Sequence, residues 1–238
     1  MHSLNTFRSV GIAGLLVSCA LAACANGGDE AILITRNVAP AAMCTFTGEP
    51  TEAFIPHGYV APEADAYLLH PQFQSRLVAD ATDPGAAAQR TIIVTDANID
   101  VTFPANPELD TLDTSLVHFK ALLSAPIAPS GTTDAEIAVI HKELIDAVVA
   151  ARGSNSADVE MLVSIVVNGN YSGNDVTSQK FEYPITLTAG LVQVPPSGEC
   201  PLPTTTVLAV GNSCNVFQDN PVTCCTQGAV LVCPATTM

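Results

Sequence analysis

The chain has 238 residues, of which 48% are hydrophobic and 13% charged, and its formal net charge at pH 7 is −15. A chain this acidic is repelled by phosphate backbones, which excludes nucleic acid as a partner. There is no Trp, which argues against a sugar-stacking module, and the length allows one domain, with or without an appendage.

The N-terminal segment has the features of an export signal. One basic residue, Arg8, precedes an uncharged, largely apolar stretch from Val10 to Ala23. That stretch is shorter than the roughly 20 residues that a helix needs to cross a bilayer. A short basic segment, an apolar segment and small residues before a cleavage site are typical of a secretory signal peptide. We therefore predict that residues 1–23 are removed.

The sequence Leu21-Ala22-Ala23-Cys24 resembles the lipobox of bacterial lipoproteins. In that family the cysteine receives a diacylglyceryl group, the preceding peptide is cut, and the freed amine is usually acylated. The resemblance implies lipidation of Cys24, contact with the membrane through this lipid, and a flexible tether over residues 24–30. Ala25, where an Asp would favour inner-membrane retention, implies the outer membrane.

Two other interpretations of the N-terminus stay open. An ordinary signal peptide could be cut after Ala20 or Ala23, which would leave Cys24 available for a disulfide. An uncleaved membrane anchor is the second alternative, and the length of the apolar stretch argues against it.

Alternation of apolar and polar residues predicts half-buried strands along most of the remaining chain. It is clearest over residues 97–103, 117–123, 159–167 and 181–187, and weaker over 31–38, 67–78, 90–94 and 136–140. Turn signals lie at residues 83–85, 129–131, 168–169 and 172–175. This pattern favours a mainly β fold, an immunoglobulin- or fibronectin-like two-sheet sandwich over residues 31–195.

One segment departs from the strand pattern. Leu144, Ile145, Val148 and Val149 follow helical spacing, and Gly153 is placed to end a helix. We predict one short helix from about Lys142 to Arg152.

The C-terminal segment, residues 196–238, has little to bury and is rich in cysteine, so disulfides are expected to order it. Six cysteines remain after the lipobox and predict three disulfides in an exported protein, with the pairing undetermined: Cys44, Cys200, Cys214, Cys224, Cys225 and Cys233. Cys44 could join the tail to the sandwich. A zinc cluster is the alternative, but the chain has no C-x-x-C pair, and we predict no metal.

The order of features is also similar to that of uncharacterised envelope lipoproteins of the myxobacterial type. The residues that carry this resemblance are Tyr67-Leu68-Leu69, Gln74-Ser75-Arg76-Leu77, Phe181-Glu182-Tyr183-Pro184 and Cys214…Gln218-Asp219…Cys224-Cys225. The resemblance implies an all-β region with a cysteine-bearing tail, and it implies no activity.

The usual catalytic motifs are absent, with no G-x-S-x-G and no H-E-x-x-H. Thr177-Ser178-Gln179-Lys180 is interpreted as a strand entry, and Asn170-Tyr171-Ser172 as a polar turn. Asp96-x-Asn98-x-Asp100 begins like a calcium loop, but the positions that need Gly and Glu hold Val101 and Pro107.

We therefore expect a lipid-anchored envelope protein that is not an enzyme and needs no cofactor. Its body would be a binding or structural module, and another envelope protein is a possible partner. The alternative is an envelope hydrolase of an unrecognised kind that uses His57 or His70.

Overall fold

The computed structural model describes residues 31–78, 91–153, 158–194 and 211–233. The predictions for the signal peptide, Cys24, the tether, the turn at 83–85 and Cys200 lie outside these ranges. The strands are β1 Ile32–Asn37, β2 Gly58–Val60, β3 Ala66–Leu69, β4 Pro71–Ser75, β5 Ile92–Thr102, β6 His118–Ile127, β7 Thr132–Asp134, β8 Ile137–His141, β9 Val159–Tyr171, β10 Asn174–Thr177, β11 Phe181–Leu187, β12 Val192–Gln193, β13 Val222–Thr223, β14 Cys225–Gln227 and β15 Val230–Val232. The helices are α1 Thr114–Val117 and α2 Lys142–Arg152, and the 3-10 turns are Ala42–Cys44, Pro107–Thr111 and Ala189–Leu191.

The largest sheet has six strands, in the order β2-β11-β9-β5-β6, with β10 paired to β9. Neighbouring strands are antiparallel except at the edge, where β2 runs parallel to β11. In the centre of this sheet, Val163 lies opposite Tyr183 on one side and Val101 on the other. The apolar alternation predicted the strands at this centre correctly.

One face of the six-stranded sheet is buried. Val159, Met161, Val163, Ile165 and Val167 of β9 are at most 2% exposed. The residues between them are half-buried or exposed. This is the pattern of a sheet with one face on the core and one toward solvent.

The buried face packs against a three-stranded sheet, β1-β4-β7, and a two-stranded sheet, β3-β8. Ile32 of β1, Phe73 of β4 and Tyr67 of β3 are fully buried and belong to the same hydrophobic core as β9. Two smaller pairs, β12-β13 and β14-β15, lie toward the C-terminus.

Helix α2 also packs on this core. It has the predicted bounds, and Leu144, Ile145 and Val148 form its buried face. The chain leaves the helix at Gly153, whose φ of 58° falls in the region that favours glycine. The Gly153 amide donates to the carbonyls of the last turn.

The fold prediction is confirmed: the chain is mainly β, has one helix of more than a single turn among the described residues, and has disulfides near its C-terminus. Cys44 bonds to Cys214 and Cys224 bonds to Cys233. Cys225 is also disulfide-bonded, so the adjacent cysteines have different partners.

Three local predictions need correction. Residues 67–78 do not form one strand, because the chain changes sheet at His70 between β3 and β4. The two strands predicted over 90–94 and 97–103 correspond to a single strand, β5 from Ile92 to Thr102, whose register shifts between Val94 and Asp96. Asn168-Gly169 is not a turn, since it lies within β9 and pairs with both β5 and β10.

Two predicted turns are present. Ser172 and Gly173 have positive φ values of 50° and 80° and join β9 to β10. The Gly131 amide donates to the carbonyl of Ala128 and closes the turn before β7. Within the described ranges, no helix is long and apolar enough to span a membrane.

Candidate functional site

A group of buried and half-buried polar side chains lies where β1, β3 and β11 meet the C-terminal segment. We call Asn37, Tyr67, Tyr183 and Asp219 the tyrosine–aspartate cluster. The Asn37 amide donates to the Tyr183 hydroxyl at 2.9 Å, and the two tyrosine hydroxyls lie 3.1 Å apart. The Tyr67 hydroxyl donates to Asp219 Oδ1 at 3.0 Å.

Asp219 accepts further hydrogen bonds besides the one from Tyr67. The backbone amide of Tyr59 donates to Oδ1 at 3.0 Å, and Gln218 Nε2 donates to Oδ2 at 3.1 Å. Asn212 Nδ2 lies 3.5 Å from Oδ2. The backbone of Asp219 has a φ of 62°, a conformation that Asp tolerates better than most residues. Both carboxylate oxygens are therefore engaged in holding the structure.

Burial sets the protonation state of the cluster. Burial raises the pKa of Tyr67 well above its ordinary value, and the negative charge of Asp219 adds to this. Burial raises the pKa of Tyr183 to about 12. It also raises the pKa of Asp219, although the hydrogen bonds it accepts oppose the shift. The tyrosines remain neutral donors at physiological pH, which fits a structural role.

Gly58 allows the cluster to form. A Cβ atom at this position would lie 2.5 Å from the Tyr67 hydroxyl oxygen and 2.6 Å from its ring. Only glycine lets the backbone at the start of β2 approach the buried ring so closely.

His70 lies beside the cluster, at the junction of β3 and β4. Its ring is buried and stacks on Phe46, with ring centroids 3.5 Å apart. Nε2 has no hydrogen-bond partner in the described structure, and the nearest acid is Glu136, with Oε2 at 3.6 Å. Burial lowers the pKa of His70 to about 4. The ring is therefore neutral at pH 7, held by packing.

His57, the other histidine of the hydrolase alternative, belongs to a different group. Its Nε2 lies 2.7 Å from Thr186 Oγ1, and that hydroxyl donates to Glu160 Oε1 at 2.8 Å. His57 Nε2 also lies 3.8 Å from Glu160 Oε2, so one ring nitrogen faces both the hydroxyl and the acid. In a nucleophile–histidine–acid triad one ring nitrogen contacts the nucleophile and the other contacts the acid, so this arrangement differs from that of a triad.

Asp96, Asn98 and Asp100 share the solvent side of β5, as their spacing indicates. Asp96 pairs with Lys120 at 3.1 Å and accepts from Asn168, and Asp100 pairs with His118. Although burial opposes it, the bonds from Asn168 and Lys120 lower the pKa of Asp96. The carboxylates are thus bonded to neighbouring side chains, and no group of three potential metal ligands occurs among the described residues.

Other singled-out residues also have structural partners. Ser178 is buried, accepts from the Val167 amide at 3.0 Å and donates to the Gln179 carbonyl at 2.8 Å. Lys180 pairs with Glu182. The segment Thr177 to Lys180 therefore links β10 to β11.

Sequence reasoning did not identify the tyrosine–aspartate cluster. Tyr67, Tyr183 and Asp219 lie far apart in the chain and match no catalytic motif, although all three lie in segments that carry the resemblance to myxobacterial-type lipoproteins. The signal available was indirect: Tyr67 and Tyr183 occupy apolar positions in predicted strands, where a buried hydroxyl needs a partner.

Comparison with known proteins adds no functional assignment. No family model and no curated protein matches the chain. A solved structure titled as a protein from Archaeoglobus fulgidus is similar at a TM-score of 0.34 and 8% identity, over 51% of this chain and 83% of that one.

Proposed function

We propose that the protein is a lipid-anchored component of the bacterial cell envelope, held in the outer membrane by Cys24. Its β body is a non-enzymatic module that binds an envelope partner or serves as a structural element. The disulfides carry the proposal. Cys44–Cys214 and Cys224–Cys233 fit an oxidising compartment, to which a lipobox would direct the chain.

The non-enzymatic role is supported by how the polar side chains are used. His70 is buried and packed on Phe46, and His57 bonds to the hydroxyl of Thr186. A single ring nitrogen of His57 faces both the Thr186 hydroxyl and Glu160, whereas a triad uses the two ring nitrogens separately. These contacts favour a binding or structural module over the hydrolase alternative.

Metabolic labelling with a palmitate analogue tests the anchor. We expect Cys24→Ala to abolish labelling and to leave an uncut precursor or a soluble product. Cys19→Ala is the matched control, since Cys19 lies in the same apolar stretch but outside the lipobox, and it should keep the label. Unchanged labelling of Cys24→Ala would refute lipidation at this residue.

Site-specific photo-crosslinking in intact envelopes tests the binding role. Leu122 on β6 and Val149 on α2 are suitable positions because both are exposed and they lie on different elements. A binding module should give one discrete adduct from one of the two positions, reproduced after purification under denaturing conditions. Weak, heterogeneous adducts from both positions would favour a structural role without a specific partner.

A further inference from the structure

We propose that residues 211–220 form a strap that closes two strand edges, and that reduction of the Cys44–Cys214 disulfide releases the strap while the six-stranded sheet stays folded. This inference concerns the body of the protein and does not depend on how the chain is anchored.

The strap covers the outer edge of β3. Strand β3 pairs with β8 on one side. On the other side, the Gln218 amide takes the place of a neighbouring strand: it accepts from the Leu68 amide at 2.9 Å and donates to the Leu68 carbonyl at 2.7 Å. Asn215 Nδ2 donates to the Ala66 carbonyl at 3.0 Å.

The strap also covers the edge of β2, which pairs with β11 on its other side. The Ala61 amide donates to the Phe217 carbonyl at 2.9 Å. The Asp219 amide donates to the Tyr59 carbonyl at 2.8 Å, and the Tyr59 amide donates to Asp219 Oδ1. An open strand edge is a template for pairing with another strand, so the position of the strap controls whether these edges are available.

The disulfide attaches the strap to a turn in an unfavourable conformation. Met43 and Cys44 have φ values of 58° and 55°, in the left-handed region that non-glycine residues rarely adopt. The Ala41 amide donates to the Thr45 carbonyl, and Ser213 Oγ donates to the Ala41 carbonyl. Breaking the disulfide would let the turn relax.

The Asp219 carboxyl acts in both directions. Its raised pKa reflects the cost of removing its charge from water when the strap is closed, but the hydrogen bonds it accepts from Tyr67 and from the Tyr59 amide hold the strap in place. The disulfide offsets the backbone strain at Met43 and Cys44 because it holds the strap against the body.

Reduction of the Cys44–Cys214 disulfide needs a dithiol as the reductant. One thiolate attacks a sulfur of Cys44–Cys214, the second thiol resolves the mixed disulfide, and the protein gains two thiols while the dithiol is oxidised. Cys44 and Cys214 are both partly exposed, so a small dithiol can reach them. The core of β9 contains no cysteine and is held by apolar burial.

Hydrogen exchange of single amides in the mature chain tests the proposal. The probes are the amides of Tyr59, Ala61 and Leu68, which the strap shelters, with the Val163 amide of β9 as the reference. We expect dithiothreitol, and separately the double variant Cys44→Ser/Cys214→Ser without reductant, to speed exchange of the sheltered amides at least tenfold. The Val163 amide should not change.

The double variant Cys224→Ser/Cys233→Ser is the matched control, because it removes a disulfide outside the strap and should leave the sheltered amides unchanged. Two results would overturn the proposal. Unchanged exchange at Tyr59, Ala61 and Leu68 would mean that hydrogen bonds alone hold the strap. A parallel increase at Val163, or failure of the Cys44/Cys214 variant to fold, would mean that strap and sheet are one cooperative unit.

Discussion

The Tyr67 hydroxyl donates a hydrogen bond to Asp219 across 3.0 Å, although 152 positions separate the two residues in the chain. This bond joins β3 to the C-terminal segment, and its donor, the Tyr67 side chain, is fully buried while Asp219 is half-buried. An unsatisfied buried group costs about 1–3 kcal/mol, so the bond should have a measurable effect on the stability of the whole body.

Replacing Asp219 with Ala should lower the free energy of unfolding by about 2 kcal/mol. The Tyr59 amide and the Gln218 side chain lose an acceptor, while removal of a desolvated carboxylate offsets part of the cost. Urea denaturation followed by circular dichroism measures the change. Asp146→Ala is the control, since Asp146 forms an exposed pair with Lys142, and its loss should cost less than about 0.5 kcal/mol. Equal losses of stability in the two variants would mean that the hydrogen bonds of Asp219 contribute no more to folding than an exposed ion pair.

Stability should depend on pH through His70. Burial lowers the pKa of His70 to about 4 in the folded protein, whereas an unfolded histidine titrates near 6.5. Between these values the unfolded chain binds a proton that the folded chain does not. The free energy of unfolding therefore falls as pH drops from about 6.5 to 4, by about 1–3 kcal/mol. His70→Phe, which can keep the stacking on Phe46, should flatten this dependence.

Asp219 should act in the opposite direction. Its pKa is raised in the folded protein, so the folded chain binds a proton more readily, and stability rises as pH falls through the raised value toward 3.8. Asp219→Asn removes this contribution. Acidification should then destabilise the Asn variant more steeply than the parent. Parallel pH profiles for the parent, His70→Phe and Asp219→Asn, measured by urea denaturation, would show that neither group titrates as expected.

Met43→Gly should stabilise the protein. Met43 is 80% exposed and has a φ of 58°, so the substitution removes backbone strain without loss of packing. The left-handed conformation costs a non-glycine residue about 1–2 kcal/mol, and the greater freedom of glycine in the unfolded chain offsets part of the gain. We expect the Gly variant to be about 0.5–1 kcal/mol more stable than Met43→Ala, which keeps a Cβ. Thermal unfolding of the two variants compares them, and equal stabilities would locate the strain elsewhere.

Local pattern was sufficient to predict the centre of the fold. Successive side chains of a strand point to opposite faces, so the apolar stripe from Val159 to Val167 identified both a strand and its buried side. The spacing of Leu144, Ile145 and Val148 likewise predicted helix α2, and Gly153 predicted its end. In each case the residues that predict the element lie close together in the chain, within two helical turns or a few strand positions.

Local pattern failed where long-range pairing outweighs a local preference. Asn168-Gly169 has the composition of a hairpin turn, yet both residues lie within β9. Strands β5 and β10 pair on either side, and a Cβ at Gly169 would lie 2.7 Å from the Ile93 carbonyl oxygen. The glycine serves a close approach between strands, which the sequence around it does not reveal.

The amino-acid sequence by itself determined the central strands, helix α2 and the apolar side of each, because these properties depend on neighbouring residues. It also indicated disulfides, but not their pairing. Only the tertiary structure decided that Cys44 meets Cys214 and that Asp219 meets Tyr67. Such contacts join residues far apart in the chain, and they depend on how the sheets pack, which no local pattern encodes.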